Sequence, residues 1–195
     1  GETADTLAAL REAGRRGATT LALTNVVGST AARETDHTVY VRAGPEIGVA
    51  ATKTFSSQLV GVNLLAAHLT AGGAERRRDF VDALRGVPNH VQTVLDESTA
   101  GDVVEEFVGA DAFFFIGRSL NYPVALEGAL KFKEITYEHA EGFAAGELKH
   151  GPLALVTADT PVFAVVTGDD EAARKTLGNV KEVEARDAPV VVVTD

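Results

Sequence analysis

Apolar positions in the first part of the chain follow two different periods. At Leu7, Leu10 and Ala13 they recur at the three- to four-residue spacing of one helix face. Elsewhere, short runs of aliphatic and β-branched residues stand between glycine or asparagine, which is typical of buried strands. The pattern predicts helices over 3–16 and 52–69, strands over 18–24 and 38–41, and loops over 25–29 and 43–51.

The same succession begins again near Asp111. It predicts strands over 111–116, 161–166 and 188–194, and helices over 123–139 and 170–186. The stretch 74–109 between the two halves has a helical and more charged pattern. Gly86-Val87-Pro88 predicts a break in it, because proline interrupts a helix. Gly72 and Gly73 are expected to close the helix before this stretch.

These alternating elements indicate the fold class. Apolar strands separated by helices of about ten or more residues form βαβ units, whose strands lie in a parallel sheet. Because the succession starts afresh, we expect an α/β protein with two lobes of similar design, the first without its start and the second without its end. A single doubly wound domain is the alternative. In either arrangement, ligands bind at the carboxyl ends of the strands.

The composition of the 195 residues excludes several classes of function. The formal charge is −10, so we expect neither nucleic acid nor an anionic membrane as a partner. Cysteine is absent, which excludes disulfides and a thiolate nucleophile, and no HExxH or other metal-binding spacing occurs, so we expect no metal.

Targeting signals are also missing. No apolar run approaches the roughly 18 residues of a membrane span, and no signal peptide is visible, so we expect a cytoplasmic location and no membrane contact. The chain contains no methionine, which predicts that it is a fragment of a longer protein.

The segment LEGALKFKEITYEHAEGFAAGELKHGP, residues 126–152, carries the densest chemistry. Glu127, Lys131 and Glu134 stand at offsets of 0, +4 and +7, so they share one helix face. His150 follows directly before a Gly-Pro turn signal. A carboxylate, an ammonium and an imidazole can move protons on a small polar substrate. Spacing alone favours a solvated ion-pair face by roughly two to one, since most charged helix faces are simply solvated.

Three further segments are candidate ligand loops. The start GETADT offers free backbone N–H groups for a phosphate, although capping by Thr3 is the commoner use of such a sequence. NVVGST, residues 25–30, follows a strand, and AGPEIGVAATKTF, residues 43–55, is rich in glycine, with Thr52 or Thr54 able to cap the next helix. Taken singly, each is typical of an ordinary cap or loop.

Taken in order, these segments resemble the isomerase part of the glutamine–fructose-6-phosphate aminotransferases, or glucosamine-6-phosphate synthases. The resemblance covers essentially the whole chain and rests on GETADTLAAL, NVVGSTAARETD, GPEIGVAATKTF and LEGALKFKEITYEHAEGFAAGELKHGPLAL. It implies two flavodoxin-like sugar isomerase (SIS) lobes with parallel sheets. Residues 1–70 would be the C-terminal portion of the first SIS domain, 71–109 a connecting helical segment, and 110–195 the N-terminal portion of the second.

The resemblance also implies roles for the residues that bind the sugar phosphate. Thr3 matches the last member of a Ser-rich loop that holds the phosphate. Val49 matches a backbone contact to the sugar. Ala51 stands at a substrate-contacting position that is often serine in this family.

For the chemistry itself, the resemblance implies four catalytic residues. Glu134 is similar to the base that moves a proton between C1 and C2, Lys131 to the lysine beside it, and Glu127 to a partner that orients the site. His150 resembles the residue that assists ring opening from the neighbouring subunit. The active site would therefore be shared within a homodimer.

The function implied is the isomerase portion of an enzyme that converts fructose 6-phosphate and ammonia from glutamine to glucosamine 6-phosphate, without a cofactor. The glutaminase domain and a C-terminal tail with a further active-site lysine are expected to lie outside this fragment. Two alternatives stay open: a sugar-amine phosphate deglycase of the same fold, and a non-catalytic SIS module that senses sugar phosphate. Glu134 and His150 argue against the sensor, since a pure binder needs no base.

Overall fold

The computed structural model describes residues 1–69 and 73–195, which divide into two compact units, Gly1–Ser98 and Thr99–Asp195. The division falls inside the stretch 71–109 that the sequence suggests as a connector, and the SIS domain boundaries given above stay a prediction. The helix stop expected at Gly72 lies outside the described residues. Among the residues described, no helix combines the length and apolar character needed to cross a membrane.

The first unit contains a short parallel sheet with helices beside it. Its elements are α1 (Ala4–Arg15), β1 (Leu21–Thr24), α2 (Thr30–Glu34), β2 (His37–Tyr40), α3 (Lys53–Leu69) and α4 (Ala74–Glu97). Strands β1 and β2 pair in parallel, with Leu21 opposite His37. Leu7, Ala22 and Ala31 form the small core between α1, β1 and α2. The predicted helices and strands of this unit are confirmed, whereas α2 was not predicted.

Helix α4 corrects one prediction. It runs without a break for 24 residues and includes Pro88, so the expected interruption at residues 86–88 is wrong. Proline removes one helical hydrogen bond at a cost of about 3 kcal/mol, and the adjacent Gly86, Val87 and Asn89 are themselves weak helix formers. The preceding stretch 74–85 is rich in alanine, arginine, glutamate and leucine, which favour helix. The carbonyl that loses its helical partner is that of Leu84, four residues before the proline.

The second unit is built on a four-stranded parallel sheet in the order β4-β3-β5-β6. Its elements are α5 (Ala100–Val104), β3 (Ala112–Gly117), α6 (Asn121–Thr136), β4 (His139–Ala144), β5 (Val162–Val165), α7 (Glu171–Glu184) and β6 (Val190–Val193), with 3-10 turns at Glu105–Phe107, Ala145–His150 and Pro152–Leu155. The predicted parallel sheet and α/β class are confirmed. The predicted strands that became β3, β5 and β6 are confirmed to within about two residues.

The end of α6 differs from the prediction. The helix stops at Thr136 rather than near His139, because Tyr137 takes a left-handed conformation with φ of 63° and donates its N–H to the carbonyl oxygen of Lys133. His139 instead opens strand β4, which was not predicted. The sequence HAEGFA of β4 is poor in β-branched residues, so its strand conformation comes from pairing with β3.

Strand β3 is buried on both faces and organises the core. Phe114 and Ile116 lie on one side, in the cluster that includes α7 and the turn at 145–150. Phe113 and Phe115 lie on the other side, against α6. This alternation follows the two-residue period of a strand and explains why β3 is a continuous apolar run. The carboxyl end of β3 therefore opens between α6 and the turn that follows β4.

Candidate active site

Helix α6 lies unusually close to the sheet. It begins after a tight turn at Gly117, where an added Cβ would be 2.3 Å from the carbonyl oxygen of Asn121. Ala125 and Ala129 are almost fully buried, and an added Cβ on Gly142 of β4 would stand 2.9 Å from the Cα of Leu126. Small residues at the contact bring the two backbones together and fix the helix on the sheet.

The charged face of α6 unites three of the residues singled out from the sequence. Lys131 lies between Glu127 and Glu134: its Nζ is 3.6 Å from Oε1 of Glu127, and it donates a hydrogen bond to Oε2 of Glu134. The side chains of Glu127, Lys131 and Glu134 are 23%, 22% and 31% exposed. Glu127, Lys131 and Glu134 thus form an ion-paired cluster, here called the acid–lysine face, that is more buried than a solvated helix surface.

Charge and hydrogen bonding keep Lys131 protonated. The hydrogen bond to Glu134 raises the pKa of Lys131, and the negative charges of Glu134 and Glu127 raise it further, against the opposing effect of burial. An ammonium in this position can stabilise negative charge that develops on a nearby oxygen. A carboxylate beside it, held on a rigid helix, can accept a proton from carbon.

His150 is positioned by a different element. It ends the 3-10 turn at 145–150, which follows β4 and is anchored in the core by Ala145 and Leu148, both 0% exposed. The imidazole itself is exposed. Within the described part of the chain it forms no hydrogen bond or ion pair with the acid–lysine face.

The three predicted substrate-binding residues belong to the first unit. Thr3 stands at the N-cap position of α1, but its side chain makes no capping hydrogen bond and is exposed, so the expected capping use is not seen. Val49 is 91% exposed and Ala51 is half-buried, both in the loop before α3. The structure thus brings together Glu127, Lys131 and Glu134 and places Thr3, Val49 and Ala51 in the other unit. Residues 1–69 and 73–195 contain no group of three or more potential metal ligands.

The sequence profile of the SIS domain family matches residues 1–68 and 106–195. The chain belongs to the SIS domain family. It is 55% identical over 199 aligned positions to the glutamine–fructose-6-phosphate aminotransferase (isomerizing) of Halobacterium salinarum, with 98% of this chain and 32% of that protein covered. The SIS chain therefore spans about a third of the length of the curated relatives it matches.

Two solved structures share the fold of this chain. The C-terminal domain of glucosamine-fructose-6-phosphate aminotransferase from Francisella tularensis is 40% identical and has a TM-score of 0.92, over 100% of this chain and 56% of that one. Glucosamine-6-phosphate deaminase from Thermotoga maritima is 28% identical and has a TM-score of 0.76, over 99% of this chain and 57% of that one.

Glu46 is a residue of the SIS chain that the sequence analysis missed. Its carboxylate accepts hydrogen bonds from the backbone N–H groups of Thr52 and Thr54 at 3.0 and 2.9 Å and from the Thr54 hydroxyl at 2.7 Å. Glu46, rather than a threonine hydroxyl, therefore caps α3, and it closes the loop that carries Val49 and Ala51. Glu46 lies six and eight residues before Thr52 and Thr54, the residues that donate to it, and no local capping pattern has this spacing. The cap is therefore visible only in the folded loop.

We expect Glu46→Gln to destabilise the first unit at neutral pH. The hydrogen bonds from Thr54 and Thr52 lower the pKa of Glu46 from 4.5 to about 2. A depressed pKa stabilises the folded state above the unfolded pKa, and this stabilisation is lost as the pH falls from 4.5 through about 2. The difference in unfolding free energy between wild type and variant should therefore be largest near neutral pH and shrink across that window.

Urea unfolding of wild type and Glu46→Gln at a series of pH values measures this difference. Glu75→Gln is a matched control, because Glu75 is an exposed acid in the first turn of α4. A difference between wild type and Glu46→Gln that does not change between pH 7 and 3 would contradict the assignment of Glu46 as an ionised cap.

Proposed function

We propose that this chain is the isomerase part of an aminotransferase that converts fructose 6-phosphate and ammonia from glutamine to glucosamine 6-phosphate. The observation that carries the proposal is the half-buried acid–lysine face, in a chain 55% identical to an aminotransferase of that name. The substrate would be a sugar phosphate, which the names of these relatives support.

The acid–lysine face would perform the isomerisation. Moving a proton between C1 and C2 requires one base close to both carbons, and Glu134 on the rigid helix α6 meets this need. The Lys131 ammonium would offset the charge that grows on the substrate oxygen in the enediol-like intermediate. Glu127, on the other side of Lys131, would orient the ammonium. None of these steps requires a cofactor.

His150 would assist the opening of the sugar ring. Ring opening needs a group that exchanges protons near neutral pH, as imidazole does. His150 is exposed and makes no bond to the acid–lysine face of its own chain, which supports a contribution to the site of a second subunit. On this proposal the protein is a homodimer with shared active sites.

Sugar phosphate binding would come from the first unit. Thr3 stands at the start of the 12-residue helix α1, and its hydroxyl makes no capping hydrogen bond, which supports a contact of this hydroxyl with the phosphate. The exposed loop closed by Glu46 would offer the backbone of Val49 to the sugar, with Ala51 beside it. A cytoplasmic location and the division into two incomplete SIS domains stay predictions.

The alternative functions have weaker support. The deaminase structure is 28% identical, against 40% for the aminotransferase domain, so a deglycase is the more distant likeness. A non-catalytic sensor leaves the half-buried carboxylates of the acid–lysine face without a purpose, since burying charge costs free energy and binding of a sugar phosphate requires no base.

Incubation of the full-length protein with fructose 6-phosphate and glutamine tests the proposal. We expect glucosamine 6-phosphate to form only when fructose 6-phosphate is supplied together with a nitrogen source, either glutamine or an ammonium salt. Release of ammonia from glucosamine 6-phosphate without glutamine-dependent synthesis would instead identify a deaminase. Binding of sugar phosphate without any turnover would identify a sensor, and either outcome would overturn the proposal.

A further inference from the structure

Arg118, directly after β3, contacts two other elements, helix α7 and the turn at 145–150. Its Nε and Nη2 both donate to Oδ1 of Asn179 on α7, at 3.1 and 2.9 Å. Asn179 is only 4% exposed, and its Nδ2 donates to Oε2 of Glu182 at 3.1 Å. The guanidinium of Arg118 is therefore held in one orientation from the α7 side.

The guanidinium also lies directly against Gly146 in the turn at 145–150. A Cβ on Gly146 would stand 2.7 Å from Nη2 and 3.0 Å from Cζ of Arg118. Glycine is thus what lets the turn approach the guanidinium so closely. Since Arg118 follows the strand between β4 and β5, it braces the turn after β4 against the helix after β5.

This contact bears on His150 because Gly146 and His150 belong to the same short turn. Ala145 and Leu148 fix its depth in the core, whereas Lys149 and His150 are exposed. A planar, doubly hydrogen-bonded guanidinium resists lateral movement of the turn. A lysine ammonium could not replace it, because it lacks the planar surface and the two-pronged donor.

We propose that Arg118, held by Asn179, is a positioning residue for the turn that carries His150, and that it thereby sets the efficiency of sugar ring opening. The inference rests on the proposed function of His150. Arg118 acts through the turn and not on the reacting atoms, so its loss should affect ring opening and spare the proton transfer at the acid–lysine face.

Two substrates separate these steps in the full-length protein. Fructose 6-phosphate is mostly cyclic, whereas 5-deoxyfructose 6-phosphate lacks the hydroxyl that closes the ring and is always open. For Arg118→Lys we expect kcat on the cyclic substrate to fall about 10- to 100-fold, because a misplacement of about 1 Å costs a catalytic group up to about 100-fold in rate. On the open substrate, kcat should stay within about twofold of wild type. Arg174→Lys is the matched control, because this exposed arginine on α7 donates to the backbone oxygen of Asp169 and lies outside the contact between Arg118 and the turn.

Equal loss of turnover on both substrates, or loss on neither, would overturn the inference. If Arg118→Lys does not fold, Gly146→Ala disturbs the same contact from the other side, and the same selective loss is expected. His150→Ala is the reference variant. If His150→Ala loses turnover on the cyclic substrate selectively and Arg118→Lys does not, the inference about Arg118 is overturned and the role of His150 stands. No selective loss in His150→Ala overturns the proposed role of His150 and the inference with it.

Discussion

Replacing Glu134 with glutamine in the full-length protein should reduce isomerisation of fructose 6-phosphate by at least about 10²- to 10⁴-fold, the usual contribution of a general base. Glutamine keeps the size of the side chain and an oxygen that can accept the hydrogen bond from Lys131. It cannot take up a proton at neutral pH. Because the sugar phosphate contacts are proposed to come from residues other than Glu134, binding of the substrate should survive.

Steady-state kinetics and calorimetric titration with fructose 6-phosphate measure both parts of this prediction. Glu138→Gln is the control, since Glu138 is an exposed acid just beyond the end of α6 and should leave turnover unchanged. Turnover by Glu134→Gln at the wild-type rate would remove Glu134 from the role of base.

The second large effect concerns the subunit to which His150 contributes. His150→Ala alone should lower turnover of the cyclic substrate by about 10²-fold, because ring opening loses its proton-exchanging group. If the site is shared, a mixed dimer of His150→Ala and Glu134→Gln subunits has one site with both defects and one intact site. Random mixing of the two inactive variants should then restore about a quarter of wild-type activity.

The control for this mixing experiment uses two changes in the same face. Glu134→Gln mixed with Lys131→Met should restore nothing, because both residues belong to one helix and every mixed dimer keeps a defect in each site. If the mixture of His150→Ala and Glu134→Gln also restores no activity, His150 acts in the site of its own subunit, and the proposal of a shared site is wrong.

The sequence was most informative where apolar runs are continuous. Strands β3 and β5 were predicted nearly to their ends, because burial on both faces requires an unbroken apolar run. Strand β4 was missed, since His139, Gly142 and the neighbouring alanines carry no strand signal without β3 beside them. The break at Pro88 was wrong: α4 continues through the proline although its immediate neighbours Gly86, Val87 and Asn89 are weak helix formers.

The site could be predicted only in part, for a similar reason. Helical spacing placed Glu127, Lys131 and Glu134 on one face, as the ion pairs confirm. It could not indicate that the face is half-buried, because that depends on the small residues that bring α6 close to the sheet. The contacts of Glu46 and of Arg118 with Asn179 were beyond prediction, since they join residues that no local pattern relates.

The most direct test of the central claim follows the hydrogen atoms themselves. Fructose 6-phosphate carrying two deuterium atoms at C1 is incubated with the full-length protein, and NMR records the deuterium at C1 and C2. With wild type we expect deuterium to leave C1 and to appear in part at C2, because one carboxylate serves both carbons. With Glu134→Gln it should stay at C1 although the sugar phosphate is bound. Loss of deuterium from C1 at the wild-type rate in that variant would contradict the account.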